Sequence, residues 1–251
     1  MKLGLQIYSL RDYLTPDQIC DTLKKVKDMG YDGIEWTNQP GYSPRELAEM
    51  TRQAGLEMFS LLRDIKHLIA CDTAELDEIA SLGIKYLPIC WLPTERLAGG
   101  ALFEETCELI CRYGEEAKKR GIWLLYHNHE FDLDRLDGKP LLDHLFETLP
   151  ADILGAEPDT CWLYTGKVDP AAYLQIYTNR APIIHLKDCI AEGGRAGFKP
   201  VGSGVLDWKA ILNECGNAEW ICVEQDDPSD GLDAFACAEL SAAFLRNRTN
   251  P

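Results

Sequence analysis

Apolar and polar positions along this chain fall into a repeating cadence. A helical stretch ends in glycine, and a short apolar run rich in β-forming residues follows at once. The cadence appears as Asp28-Met29-Gly30 before residues 31–36, as Gln53-Ala54-Gly55 before 56–62, and as Ser81-Leu82-Gly83 before 84–91. It returns as Lys119-Arg120-Gly121 before 122–129 and as Glu214-Cys215-Gly216 before 217–226. Glycine after a helix supplies the left-handed residue that ends it, so the chain can turn directly into a strand. Three more runs, 3–10, 153–162 and 181–188, bring the strands to eight. Thr15-Pro16, Ser43-Pro44 and Asp169-Pro170 carry the cap-then-proline signal of a helix start.

Strands that alternate with helices pair in parallel through right-handed crossovers. Eight such units in 251 residues predict an α/β fold, a single (β/α)8 TIM barrel spanning 1–251. An open doubly wound sheet is the alternative, but no GxGxxG follows the first strand. No linker, low-complexity tract or charge block marks a second domain.

Composition narrows the function. Forty-one acidic residues against 25 basic ones give a formal charge of −16, which argues against affinity built on neutralising phosphates or an anionic membrane surface. No nucleic acid and no membrane is therefore expected as a partner. No apolar run approaches the roughly 20 residues of a spanning helix, and Gln6, Arg11 and Asp12 interrupt the apolar N-terminus, so no export segment is expected. The ten cysteines lack CxxC pairs and read as reduced thiols of a cytoplasmic protein.

In a barrel, chemistry gathers at the carboxyl ends of the strands. Here the fifth strand ends in His127-Asn128-His129-Glu130, the sixth in Glu157-Pro158-Asp159, the seventh in His185-Leu186-Lys187-Asp188 and the eighth in Glu224-Gln225-Asp226, while the second ends in Glu35-Trp36. Alternation puts His127 with His129, His185 with Lys187, and Glu224 with Asp226 on common faces. A lone histidine at a strand end is usually a hydrogen-bonded structural residue, and Asp188 or Asp226 could each be the N-cap of a following helix. Four consecutive strands ending this way point further. Mixed nitrogen and oxygen donors suit a divalent Mn, Co, Zn or Mg ion.

Seven segments in order, residues 4–12 (GLQIYSLRD), 30–36 (GYDGIEW), 126–131 (YHNHEF), 158–162 (PDTCW), 183–188 (IIHLKD), 201–208 (VGSGVLDW) and 223–227 (VEQDD), make the chain resemble the xylose isomerase-like TIM barrels, the sugar phosphate isomerase/epimerase superfamily. The branch it looks most like is that of inosose dehydratase. The resemblance implies one divalent ion held by Asp159, His185 and Glu224. His127 stands where many members have a glutamate, and Pro158 where leucine is usual. The first departure puts a symmetric two-glutamate epimerase scheme in doubt, although an imidazole can still ligate a metal or act as a base.

The resemblance further implies an enediolate mechanism on a small sugar or keto-polyol. Glu224 is the expected base, and Lys187 or His129 the group that stabilises or protonates the enediolate oxygen. Reprotonation gives an isomerase or epimerase. Expulsion of a β-substituent gives an inosose dehydratase-like or 3-keto-sugar lyase. A non-catalytic sugar-binding relative is the third reading. A DNA-repair endonuclease of the same superfamily needs more metal ligands than five histidines provide. Glu35, Trp162 and Asp226 are candidate substrate contacts, with Glu35 alternatively orienting a neighbour and Trp36, Trp91 and Trp162 offering aromatic walls. Gly202-Ser203-Gly204 is a candidate phosphate turn, or simply a turn before an Asp207 N-cap. Lys199 and Arg195 could add positive charge there, and the loop 191–206, with Gly193, Gly194 and Gly197, could act as a lid. Barrels of this kind often pair, so a homodimer is compatible with the reading.

Overall fold

The computed structural model describes residues 1–191 and 197–249. Its centre is eight parallel strands: β1 (Lys2–Gln6), β2 (Gly33–Trp36), β3 (Glu57–Leu61), β4 (Tyr86–Ile89), β5 (Trp123–His127), β6 (Leu154–Glu157), β7 (Ile183–Leu186) and β8 (Trp220–Val223). They pair in the order β6, β5, β4, β3, β2, β1, β8, β7, so the sheet runs once round and its ends, β6 and β7, meet. A parallel bridge between Asp159 and His185 closes this seam, with the His185 N–H donating to the Pro158 carbonyl at 2.9 Å. The molecule is the (β/α)8 TIM barrel that eight units predict. Proline is tolerated at 158 because the seam uses its carbonyl there.

The outer ring comprises α1 (Ile19–Asp28), α2 (Pro44–Gln53), α3 (Ile65–Ala70), α4 (Thr73–Ser81), α5 (Phe103–Lys118), α6 (Leu141–Thr148), α7 (Thr160–Thr165), α8 (Pro170–Tyr177), α9 (Trp208–Glu214) and α10 (Ala234–Thr249). Four of the five expected glycine stops hold: Gly30, Gly55, Gly83 and Gly121 follow α1, α2, α4 and α5 with positive φ. The fifth differs, because Gly216 lies in a short 3₁₀ turn, Cys215–Asn217. Ser43 forms a capping box with Glu46, and Asp169 caps α8. Thr15-Pro16 instead opens a turn, and α1 begins at Ile19 with no side-chain cap. The first apolar run also divides, as β1 ends at Gln6 and residues Ile7–Tyr13 form a 3₁₀ helix.

An apolar plug of Phe59, Tyr86, Leu125, Ile183, Trp220 and Cys222 fills the lower barrel. Phe59 and Trp220 stack with centroids 4.0 Å apart and planes 11° from parallel. Gly33 makes room for them: a Cβ there would lie 2.7 Å from the Trp220 ring and 2.5 Å from the Glu57 carbonyl. Polar side chains are thereby confined to the upper end.

Beyond β7, Asp188 organises the next connection. Its carboxylate accepts from Cys189 N (2.9 Å), Gly202 N (3.0 Å), Gly204 N (2.9 Å) and Trp208 Nε1 (2.7 Å). Asp188 is thus no helix N-cap, whereas Asp207 does cap α9. Of the two readings of Gly202-Ser203-Gly204, the turn before the Asp207 cap is the one formed and the phosphate turn is not, since the Gly202 and Gly204 N–H groups already hold the Asp188 carboxylate and Ser203 N–H donates to the Pro200 carbonyl. Lys199 pairs with Asp230. Arg195, Gly193 and Gly194 lie outside the described residues, and the described part of the candidate lid is pinned by Asp188 and by the ribbon pairing Asp188–Cys189 with Phe198–Lys199.

Replacing Asp188 by Ala strands three backbone N–H groups and an indole N–H, each a loss of about 1–3 kcal/mol when buried. Chemical denaturation of Asp188→Ala is therefore expected to show a loss of roughly 3–5 kcal/mol. Asp188→Asn, which keeps one acceptor oxygen, is expected between this variant and wild type.

Candidate metal centre

Strand alternation aims side chains from four neighbouring strands into the upper barrel. His127 ends β5, Asp159 follows β6, His185 lies in β7 and Glu224 follows β8. One ligand atom from each of these four buried residues lies within 4.8 Å of the others. Asp159 is fixed by secondary structure: its Oδ1 caps α7 by accepting from Cys161 N and Trp162 N, both at 2.9 Å. Its Oδ2 has no hydrogen-bond partner among the described residues and lies 3.8 Å from Lys187 Nζ.

His185 is held on both edges. Nε2 is 2.7 Å from Glu35 Oε1 and 3.1 Å from Glu157 Oε1, while Nδ1 is 3.1 Å from Glu224 Oε2. Glu35 is in turn fixed by Gln6 Nε2 at 2.7 Å and Ser60 Oγ at 2.5 Å. Two carboxylates at Nε2 hold a proton there, so Nδ1 is the nitrogen that would give up its proton and turn a lone pair to an ion in the cluster.

Lys187 is fully buried among acids, with Nζ 2.9 Å from Asp226 Oδ1 and 3.3 Å from Glu224 Oε2. It also lies 4.8 Å from the ring centres of both Trp162 and Phe198.

The charges follow from this packing. Burial opposes the ammonium of Lys187, but Glu224, Asp159 and Asp226 outweigh it and raise its pKa. Burial likewise works against ionised Glu224, yet Lys187 and His185 hold it well below the usual carboxylate range. Burial, with His185 beside it, lowers His127 to about 4, and burial with His127 lowers His129 to about 3. His127 is therefore neutral at pH 7 and carries a lone pair. Burial opposes charge on His185 as well, but Glu157 and Glu35 raise its pKa well above the ordinary value. Burial raises Glu35, Glu157 and Asp159. Two imidazoles and two carboxylates, one of them with the unpartnered Oδ2 of Asp159, in a region crowded with buried acids fit a divalent cation.

Above the cluster opens a cavity of about 480 Å³, whose wall includes Tyr8, Trp91, His127, His129, Glu224 and Asp226. Of the residues singled out in the sequence, His127, His129, Glu224 and Asp226 therefore line it. Glu35 and Trp162 do not. Glu35 is fully buried below and orients His185, the second of the two roles left open for it, and Trp162 packs under Lys187 and 5.6 Å from the His129 ring. Lys187 also lies off the cavity wall, neutralising Glu224 and Asp226 from behind. Trp36 is no wall either, since its Nε1 donates to Thr51 in α2, whereas Trp91 is half exposed at the rim. His67 and His144 are structural, one in the capping box of α3 and the other bonded to the Leu136 carbonyl.

Sequence reasoning placed Glu157 at a strand end but gave it no role. Its position two residues before Asp159 on an extended strand was the available signal. Asp132, which accepts from Tyr126 Oη at 2.8 Å and His129 N at 2.7 Å, went unmarked. Its spacing of three from His129 is that of a capping pair.

Residues 23–248 match the family model described as xylose isomerase-like TIM barrel, and the chain belongs to that family. Among curated proteins, it is similar to an inosose dehydratase of Lactiplantibacillus plantarum, 24% identical over 162 residues, or 57% of this chain. The match spans about half of that relative, 53% of its length. Among solved structures, a sugar phosphate isomerase/epimerase from Parabacteroides distasonis superposes with a TM-score of 0.82 at 23% identity, covering 99% of this chain and 94% of the other. The IolI protein with a bound zinc atom gives 0.74 at 16% identity, covering 98% and 97%. At these identities the structural likenesses establish the fold.

Burial pushes the Asp132 carboxyl up to about 7, against its two hydrogen bonds. An unfolded aspartate titrates near 4, so between about pH 4 and about pH 7 the folded chain binds the extra proton and stability falls as pH rises. Asp132→Asn removes this dependence. The stability advantage of wild type over Asp132→Asn is expected to shrink by a few kcal/mol between about pH 4.5 and about pH 7.5 in denaturant titrations.

Proposed function

We propose that this chain is a divalent-metal-dependent isomerase or epimerase of a small sugar or keto-polyol. The observation that carries the proposal is the convergence of His127, Asp159, His185 and Glu224 within 4.8 Å, with His127 and Glu224 lining a 480 Å³ cavity. These four would hold one ion of Mn, Co, Zn or Mg, and the zinc in the IolI protein supports that reading. When bound, the ion supplies Lewis-acid polarisation of a carbonyl and its neighbouring hydroxyl.

Glu224, held ionised by Lys187 and reaching the cavity, takes the proton from the adjacent carbon. Neutral His129 on the cavity wall donates a hydrogen bond to the enediolate oxygen. Lys187 acts from behind by keeping Glu224 and Asp226 charged. The ten unpaired thiols fit a reducing compartment such as the cytoplasm.

A second reading, a dehydratase or lyase, is favoured by the asymmetry of the cavity. Glu224 and Asp226 both come from the end of β8, whereas His127 and His129 stand on the β5 side with depressed pKa values. Apart from Asp64, which caps α3, the carboxylates of the cavity wall come from one strand end, an arrangement that suits proton removal followed by loss of a β-hydroxyl or alkoxide. The likeness to inosose dehydratase supports the same outcome.

Ketoses and keto-inositols incubated with the purified protein in heavy water separate the two. Deuterium at the α-carbon without change of composition indicates isomerase or epimerase, and loss of water or an alkoxide indicates lyase. Glu224→Gln is expected to lower either rate roughly 10²–10⁴-fold. Wild-type protein that takes up no stoichiometric metal and turns over none of these substrates would sink both readings in favour of a binding protein.

A further inference from the structure

We infer that Glu157 is a positioning residue that sets the tautomer of His127, and with it the nitrogen that His127 presents to the cluster. The inference rests on the reading of that cluster as a metal site. Glu157 is fully buried and pairs across the β5–β6 ladder with His127. Its Oε1 lies 3.4 Å from His127 Nδ1 and 3.1 Å from His185 Nε2.

On both rings this is the nitrogen turned away from Glu224. The opposite nitrogens, His127 Nε2 and His185 Nδ1, lie 3.9 Å and 3.1 Å from Glu224 Oε2. One carboxylate oxygen thus underlies both histidines of the cluster, on the side where a neutral imidazole must carry its hydrogen if its lone pair is to face upward.

The two rings depend on Glu157 unequally. His185 Nε2 has a second and closer carboxylate, Glu35 Oε1 at 2.7 Å. His127 Nδ1 has no hydrogen-bond partner among the described residues, and Glu157 is the acidic group beside it. Without that oxygen, nothing biases His127 toward its Nδ1–H form, and the Nε2–H form would point a hydrogen at the cluster. Losing the carboxylate therefore acts on His127 while Glu35 still holds His185. A buried acid with a purely structural role would not show this selectivity.

The test uses full-length protein in three forms: wild type, Glu157→Gln and Glu157→Asp. In ion-free protein, nitrogen-15 NMR of the histidine rings is expected to show His127 as the Nδ1–H tautomer in wild type and as a mixture in Glu157→Gln, with His185 unchanged. Zinc affinity by chelator competition is expected to fall roughly 10–100-fold in Glu157→Gln, with altered visible bands for bound cobalt. Glu157→Asp, which keeps the charge, is expected to recover part of both.

An unchanged His127 tautomer in Glu157→Gln overturns the inference, as do unchanged zinc affinity and cobalt bands, and in either case the metal centre stands. Wild-type protein that takes up no stoichiometric ion instead overturns the metal reading, and the ion-free tautomer measurement still decides the role of Glu157. If Glu157→Gln fails to fold, the wild-type spectrum and Glu157→Asp carry the test, and a wild-type His127 in the Nε2–H form overturns the inference.

Discussion

The barrel closes where Asp159 meets His185, and most of the upper end depends on that closure. β6 and β7 are the two ends of one sheet, and the bridge that joins them uses the backbones of two residues whose side chains belong to the buried cluster. Asp159 therefore has three attachments: its backbone to the seam, one oxygen to the first turn of α7, and the other turned toward the cluster. Thr160 reinforces the same seam, its hydroxyl bonding both the N–H and the carbonyl of Lys187. The residues that close the barrel are thus also residues of the cluster.

The second constraint is charge. Glu35, Glu157, Asp159, Glu224 and Asp226 are all buried, and carboxylates packed together without cations are costly. The chain answers with Lys187, placed behind the acids, and with His185, placed between Glu35, Glu157 and Glu224. The overall charge of −16 is thus more than a surface property, since part of the acidic surplus is concentrated at the mouth of the barrel. The acid held by the Gly202–Gly204 turn has a different purpose, namely to tie one connection to the end of β7.

Much of this was legible in the sequence because it follows from local rules. Gly30, Gly55, Gly83 and Gly121 announced αβ junctions through the one conformation that glycine adopts cheaply. Strand-end position gathered the polar residues of β5 to β8, and the family resemblance singled out Asp159, His185 and Glu224, with His127 beside them, which do converge in space. What stayed hidden depended on depth and partners. Glu35 and Lys187 look equivalent to Glu224 in a strand-end pattern, but the height of each along the barrel decides which face the cavity. Glu157 was invisible as a partner of His127 because the pairing register of β5 with β6 is a tertiary fact. Asp188 read as a cap because the loop that returns to it arrives 14 residues later.

The stacked rings of Phe59 and Trp220 have a consequence for how the site responds to its surroundings. They obstruct the barrel axis from below, so the buried acids are approached by solvent from the cavity side alone. Dissolved salt screens charges in such a compartment much less than it does surface pairs such as Lys118 with Asp152, whose side chains are more than half exposed. The electrostatic character of the cluster is consequently set by the chain itself, and changes of ionic strength outside would be felt chiefly by the charges around the rim.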